Sequence, residues 1–350
     1  VIRSNIAAGP TGLPIDDLFA VLSALPGFDR IAAAAADHHQ KELAGAPHQR
    51  GRLAELAVWL AGWQASSQPS ARRVEVAVFA GAHGWLSGPA FARAHAALKQ
   101  RLLLLSSGGA GASVIGGAAQ AGLRVFDLAI DQPTHKAPGR PAMSDAACMR
   151  ALAFGMEAVN KPADILCITA SGVGGRESAA ALALALFGGR AADWIAGTAP
   201  SLAVPFPEAA ATVQSLAGAV PANGDALDLV RQIGGREIAA AMGAIMAARS
   251  QRVPVILEGF EATMAAGVLS KLAPGSIDHC LVAAREGSAA HDHLIDHLGF
   301  DPILDLGITD GDGIAALLAG EVLRLAVAIH AGSATRAQLN GLLSDELVMQ

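Results

Sequence analysis

The chain has no tyrosine, only 4% aromatic residues and only 16% charged residues in 350, against a usual charged share of roughly 25%. So little charge, beside 52% hydrophobic residues, excludes a disordered or highly charged chain. With few aromatics the core must be built from Ala, Leu, Val and Ile, and 39 glycines let helices and loops approach closely. Cysteine is sparse too. Cys148, Cys167 and Cys280 form no CxxC and no Cys/His cluster, which argues against a disulfide framework or a structural zinc and for a reducing, cytoplasmic compartment. Basic residues number 25 against 31 acidic ones, and no Lys/Arg stripe alternates with aromatics, so nucleic acid is not an expected partner. No long apolar run precedes Asp16, so no signal peptide is expected. One chargeless stretch, the 22 residues Leu102–Leu123, is long enough to span a bilayer. Six glycines with Ser106, Ser107, Ser113 and Gln120 interrupt it, so a helix end, a Gly loop and a second helix are expected there rather than a membrane span.

The length suits two domains, or one large α/β domain with a smaller one appended. Helices are expected at 32–44 and 50–64, where Leu53, Leu56, Ala57, Leu60 and Trp63 share one face. RRVEVAVFAG (Arg72–Gly81) then reads as a buried strand, as do Leu123–Ile130, Asp164–Ala170, 253–257 and 278–284. Helices near 90–105, 145–159, 225–232, 237–249 and 261–271 fall between or beside them, and a last helix runs from 313 towards 334. QPTHKAPGRP at 132–141 is a loop, and 198–224 is a functional loop enclosing a short helix. Such long crossovers force parallel pairing, so the fold class is α/β with a doubly wound, mostly parallel sheet. Ligands then belong at the carboxyl ends of the strands, which directs attention to His83, Asp127, the 171–177 turn, Glu258 and the 309–313 turn.

The strongest local feature is a strand followed by Ser171, Gly172, Val173, Gly174, Gly175 and Arg176 and then a helix. Backbone N–H groups at a glycine turn, the helix N-terminus and a guanidinium together suit a phosphate. The same glycines also suit a tight crossover with no ligand. Asp310 and Asp312 in GITDGDGIAA precede a helix, either as bases or as helix caps. Glu258 is a further carboxylate at a strand end, and His83 stands between a strand and a glycine either as a ligand or as a structural histidine. His291 and His293 flank Asp292, but without a third ligand at a suitable spacing they read as a solvated helix start; His38 and His39 get the same reading, and no metal is expected.

Seven strings then converge: PHQRGRLAELAVWLAGWQ, VEVAVFAGAHG, RPAMSDAA, the 171–180 turn and helix, IGGREIAAAMGAI, RVPVILEGF and DPILDLGITDGDG. In this order they resemble the nicotinate-nucleotide:dimethylbenzimidazole phosphoribosyltransferase family, which makes the lower-ligand nucleotide of cobalamin. The resemblance implies a homodimer whose α/β nucleotide-binding core, 67–310 here, carries a smaller helical domain assembled from the terminal regions 1–66 and 311–350. It implies transfer of phosphoribosyl from nicotinate mononucleotide to a benzimidazole-type base, with no cofactor. It places the catalytic base at Asp312, where the family has a glutamate, and nucleotide contacts at His83, Ser171, Gly172, Gly174, Gly175, Gly197 and Thr198; Arg176, Glu258 and Asp310, read from the residues themselves, are further binding candidates. Several family groups are changed: an acid before His83 is lost, Arg176 is introduced, and the phosphate loop is reduced to Ile195-Ala196-Gly197-Thr198-Ala199. A related enzyme with another base and a catalytically silent partner are the alternatives.

Overall fold

The computed structural model describes residues 2–3, 15–45, 49–159, 162–197, 204–221, 224–309 and 312–348. Among these residues six strands form one sheet: β1 (Ile2–Arg3), β2 (Val74–Ala82), β3 (Gly122–Asp127), β4 (Ile165–Val173), β5 (Val255–Glu258) and β6 (Cys280–Val282). Their order is β1-β3-β2-β4-β5-β6, and every neighbouring pair is parallel. The chain leaves β2 towards β3 on one side and resumes from β4 towards β6 on the other. That reversal opens a crevice beyond the carboxyl ends of β2 and β4, where open α/β sheets bind ligands.

The first seven helices are α1 (Ile15–Ser23), α2 (Arg30–Glu42), α3 (Arg52–Gln64), α4 (Gly88–Ser107), α5 (Gly111–Ala118), α6 (Asp145–Glu157) and α7 (Gly175–Phe187). They are followed by α8 (Phe206–Gly218), α9 (Ala226–Ile233), α10 (Arg236–Ser250), α11 (Phe260–Leu272), α12 (Ala289–Leu298), α13 (Ile314–Gly332) and α14 (Arg336–Val348). Both faces of the sheet are covered, which is why its strands are apolar without alternation. On one face Val74, Val76 and Val78 of β2 join Leu60, Leu102 and Leu317 from α3, α4 and α13. On the other, Ala77 and Phe79 join Leu152, Leu182, Ile245 and Val268 from α6, α7, α10 and α11. Helices α6 and α10 nearly touch. A Cβ on Gly155 would fall 1.8 Å from the Ala240 carbonyl oxygen, and one on Gly243 would fall 1.9 Å from that of Leu152.

The chargeless 102–123 stretch is the end of α4, a left-handed Gly108, α5 and the start of β3, as the sequence predicts. Among the described residues one helix, α13, is long and apolar enough to cross a membrane; Ala315, Ala316, Leu317, Ala319 and Leu323 bury its inner face in the core. Its far end meets the N-terminal helices. Ala44 donates to the Ala334 carbonyl at 2.8 Å, and Gln40 Nε2 lies 2.9 Å from His330 Nδ1.

Three expectations are corrected. Strand β4 runs to Val173 instead of stopping at Ala170, because Gly172 and Val173 still pair with Gly81 and Ala82. The strands expected at 253–257 and 278–284 shift to Val255–Glu258 and shorten to Cys280–Val282; Pro254, which has no N–H to donate, precedes β5. His291 is not at a solvated helix start: it is the third residue of α12 and has no exposed surface.

Candidate active site

At the reversal point the sheet is held together by a buried polar chain. His83 follows β2 directly; its Nε2 lies 2.7 Å from Glu237 Oε1 in the first turn of α10, and its Nδ1 lies 2.8 Å from the Ser178 hydroxyl on α7. All three side chains are shut off from solvent. The glycines around them make the room: a Cβ on Gly81 would fall 1.9 Å from Glu237 Oε2, and one on Gly235 would fall 2.3 Å from Oε1. Both ring nitrogens of His83 are engaged inside the protein, fixing β2, α7 and α10 to one another.

The turn after β4 lies beside this chain. Gly174 has φ +76 and serves as the N-cap of α7, while Trp85 Nε1 donates to its carbonyl oxygen at 3.1 Å. Arg176 does not project from the turn as an open guanidinium. It is 4% exposed, its Nη1 is 2.8 Å from Glu286 Oε1 and 3.4 Å from Glu261 Oε2, and it lies 5.4 Å over the Phe260 ring. The strand ends bring two carboxylates to it, Glu286 from beyond β6 and Glu261 from α11. Glu286 in turn stands 3.6 Å from His291 Nδ1, whose Nε2 is 2.9 Å from Thr263 Oγ1. Burial holds the His291 ring well below its ordinary range, at about 4, despite the Glu286 charge.

Beside this network Ser171, Glu258, Glu261, Glu286, Asp312 and Arg101 line a crevice at the ends of β4, β5 and β6. Glu258 caps α13 with both oxygens, accepting from the Gly313 N–H at 3.0 Å and the Ala316 N–H at 2.7 Å. Burial outweighs these bonds and pushes its carboxyl up to about 7, with Asp312 and Glu286 adding repulsion. Asp312 is held in the left-handed region at φ +54, just before Gly313 at φ +108. Its carboxylate is ion-paired to Arg101 of α4, and Arg101 Nη1 is 3.4 Å from the Ser171 hydroxyl.

Of the residues singled out in the sequence, the fold thus gathers Ser171, Gly172, Gly174, Gly175, Arg176, Glu258 and Asp312 at one end of the sheet. Gly197 packs against Ser288 and Ala289, just beyond Glu286. Asp310 and Thr198 lie outside the described residues. Sequence reasoning missed Arg101, Glu237, Glu261 and Glu286. Glu286 and Glu261 lie only a few residues past the ends of β6 and β5, so the rule that found Glu258 would have found them. Glu237 stands two residues past the glycine pair in IGGREIAAAMGAI, and Arg101 is the last charge before the chargeless stretch.

A profile of the DBI_PRT phosphoribosyltransferase family matches residues 25–340. The chain belongs to this family. It is 41% identical to the nicotinate-nucleotide–dimethylbenzimidazole phosphoribosyltransferase of Sinorhizobium medicae over 94% of its own length and 97% of that protein. It is 40% identical to the Rhizobium meliloti enzyme of the same name, with the same coverage. A crystal structure of the corresponding enzyme from Thermus thermophilus superimposes with a TM-score of 0.80 at 27% identity, covering 89% of this chain and 98% of that one. The resemblance carried by the seven strings is therefore family membership, and the chain is a phosphoribosyltransferase of this family.

Proposed function

We propose that the protein transfers the phosphoribosyl group of nicotinate mononucleotide to 5,6-dimethylbenzimidazole or a related base, giving nicotinate and an α-ribazole 5′-phosphate. The observation that carries this reading is the carboxylate-walled crevice beside the glycine turn, in a chain of this family. An azole nitrogen forms the new bond to ribose C1 as the bond from C1 to the pyridinium nitrogen breaks. The electron pair stays with the departing nicotinate, whose ring loses its positive charge. The azole proton passes to a carboxylate, and Asp312 is the residue we assign to accept it. Glu258 is less suited, because both of its oxygens are bound to the start of α13. The carboxylate wall favours the cationic ring and the positive charge that grows on the ribose as the bond breaks. The reaction as written calls for no metal or organic cofactor.

We further infer a homodimer, with a smaller helical domain assembled from regions 1–66 and 311–350 around the core at 67–310; the bonds between Gln40 or Ala44 and the far end of α13 support that assembly. Three buried free thiols fit a reducing cytoplasm. A second reading, a transferase for another base or a catalytically silent homologue, draws on the occupation of Asp312 by Arg101. Purified protein incubated with nicotinate mononucleotide and dimethylbenzimidazole should release nicotinate and form the α-nucleotide, both detected by mass. Nucleotide binding without either product would favour the second reading.

A further inference from the structure

We propose that Arg101 receives an oxyanion of the incoming nucleotide, and that it leaves Asp312 to do so, freeing that carboxylate only once substrate is in place. This rests on the reading of the crevice as the site of transfer from nicotinate mononucleotide. That nucleotide carries two oxyanions, a ring carboxylate and a 5′-phosphate, and a guanidinium recognises either through the same paired N–H bonds.

An anion entering a wall of four carboxylates meets repulsion unless a cation turns towards it. Two guanidiniums stand near enough, and their surroundings decide between them. Arg176 is wedged between Glu261 and Glu286 with 4% of its side chain exposed, and moving it would strand Glu286, itself only 7% exposed. A buried carboxylate left without its counter-ion is costly. Arg101 is 31% exposed and Asp312 is 19% exposed, so water can cover both when they part. Arg101 also touches the Ser171 hydroxyl at the end of β4, so a guanidinium turning off Asp312 is already beside the glycine turn. Exchange of Asp312 for a substrate oxyanion has a chemical consequence. A carboxylate paired with a guanidinium is a weaker base than a free one, so parting from Arg101 raises the readiness of Asp312 to take the azole proton, and the base is strengthened by the substrate it serves.

The test compares the full chain with Arg101→Gln and Arg101→Lys, each first shown to be folded by circular dichroism. Calorimetry would use nicotinate mononucleotide, nicotinamide mononucleotide, which lacks the carboxylate, and nicotinate riboside, which lacks the phosphate. Arg101→Gln should weaken nicotinate mononucleotide binding roughly tenfold or more, with part of the loss restored in Arg101→Lys. In turnover its KM should rise to match, while kcat stays within about threefold because Asp312 remains. If the ring carboxylate is the anion, binding of nicotinamide mononucleotide is untouched by the substitution; if the phosphate is, binding of nicotinate riboside is untouched. Either result supports the proposal. Wild-type affinity of Arg101→Gln for nicotinate mononucleotide overturns it. So does a fall in kcat with KM and Kd unchanged, which would make Arg101 a mere support for Asp312. If the wild-type protein binds no nicotinate mononucleotide, the functional reading falls and this proposal with it. Binding without turnover overturns the transfer chemistry, while the same affinity loss still supports Arg101.

Discussion

Arg176→Ala removes a guanidinium that is 4% exposed, 2.8 Å from Glu286 and 3.4 Å from Glu261, and stacked over Phe260 at 5.4 Å. Breaking a buried pair by deleting one partner costs about 3–5 kcal/mol, because the remaining charge stays buried. Loss of the contact with the Phe260 ring adds roughly 0.5–2 kcal/mol. His291 Nδ1, 3.6 Å from Glu286, partly covers the orphaned carboxylate and favours the lower end of the range. A net loss near 3.5 kcal/mol, the lower ends of both ranges together, is then expected, a large share of the roughly 5–15 kcal/mol that holds a typical domain together. In urea, with a slope of about 3 kcal/mol per molar, this should lower the unfolding midpoint by about 1 M, read by tryptophan fluorescence and circular dichroism together. Arg176→Met combined with Glu286→Leu removes both charges and should recover most of the loss, whereas two independent effects would add. If Arg176→Ala unfolds at the wild-type midpoint but binds nucleotide tenfold more weakly, the guanidinium is a ligand group and the ion-pair account is wrong.

Asp312→Asn should abolish turnover while retaining nucleotide affinity, and turnover at the wild-type rate, measured beside Asp310→Asn, would remove Asp312 from the base role. Stability should fall on acidification below pH 6.5. Burial lowers His279 to about 3 and His291 to about 4, so stability they contribute above 6.5 is lost as the pH drops, whereas Glu258, raised to about 7 from 4.5, contributes more as the pH falls from 7 to 4.5. Those two losses against one gain leave about 1.4 kcal/mol lost per pH unit between 6.5 and 4.5, and the His297 and His330 rings, also lowered by burial, add to it; a thermal midpoint that is flat or rising over that window would contradict the assignment. Gly155→Ala sets a methyl 1.8 Å from the Ala240 carbonyl oxygen and should cost about 1–3 kcal/mol or more in urea unfolding, while Gly218→Ala, with nothing within 4 Å, should be neutral or stabilising. Equal midpoints for the two glycine variants would refute the close approach of α6 and α10.

All of the sheet but the two-residue β1 was legible, because the other five strands are short apolar runs rich in β-branched residues and long crossovers leave no antiparallel alternative. That signal shifted the bounds of β5 and β6, and it misled most at the end of β4. Ser171, Gly172 and Val173 look like a turn by composition, yet they are strand, because the small residues Ala80, Gly81 and Ala82 lie opposite them in register. Local sequence does not report a partner strand, so a glycine that serves close pairing and one that serves a turn look alike. The phosphate-like pattern of the turn was visible for the same reason that its occupancy was not.

Charge pairing was the less legible part, and the physics says why. Arg101 and Asp312 are separated by 211 residues, His83 and Glu237 by 154, and Arg176 and Glu261 by 85. Nothing within a window of sequence links them. Read singly, each charged residue at a strand end looks like a ligand for something outside the protein. In a chain with so few charges, those drawn to the carboxyl ends of buried strands meet one another first, and burial then makes each pair costly to break. Exposure therefore separates ligand groups from structural ones better than residue type does. Arg176, the residue the turn pattern picks out, is locked by two carboxylates, while Arg101, which no motif marks, is the guanidinium whose pair has access to water on both sides.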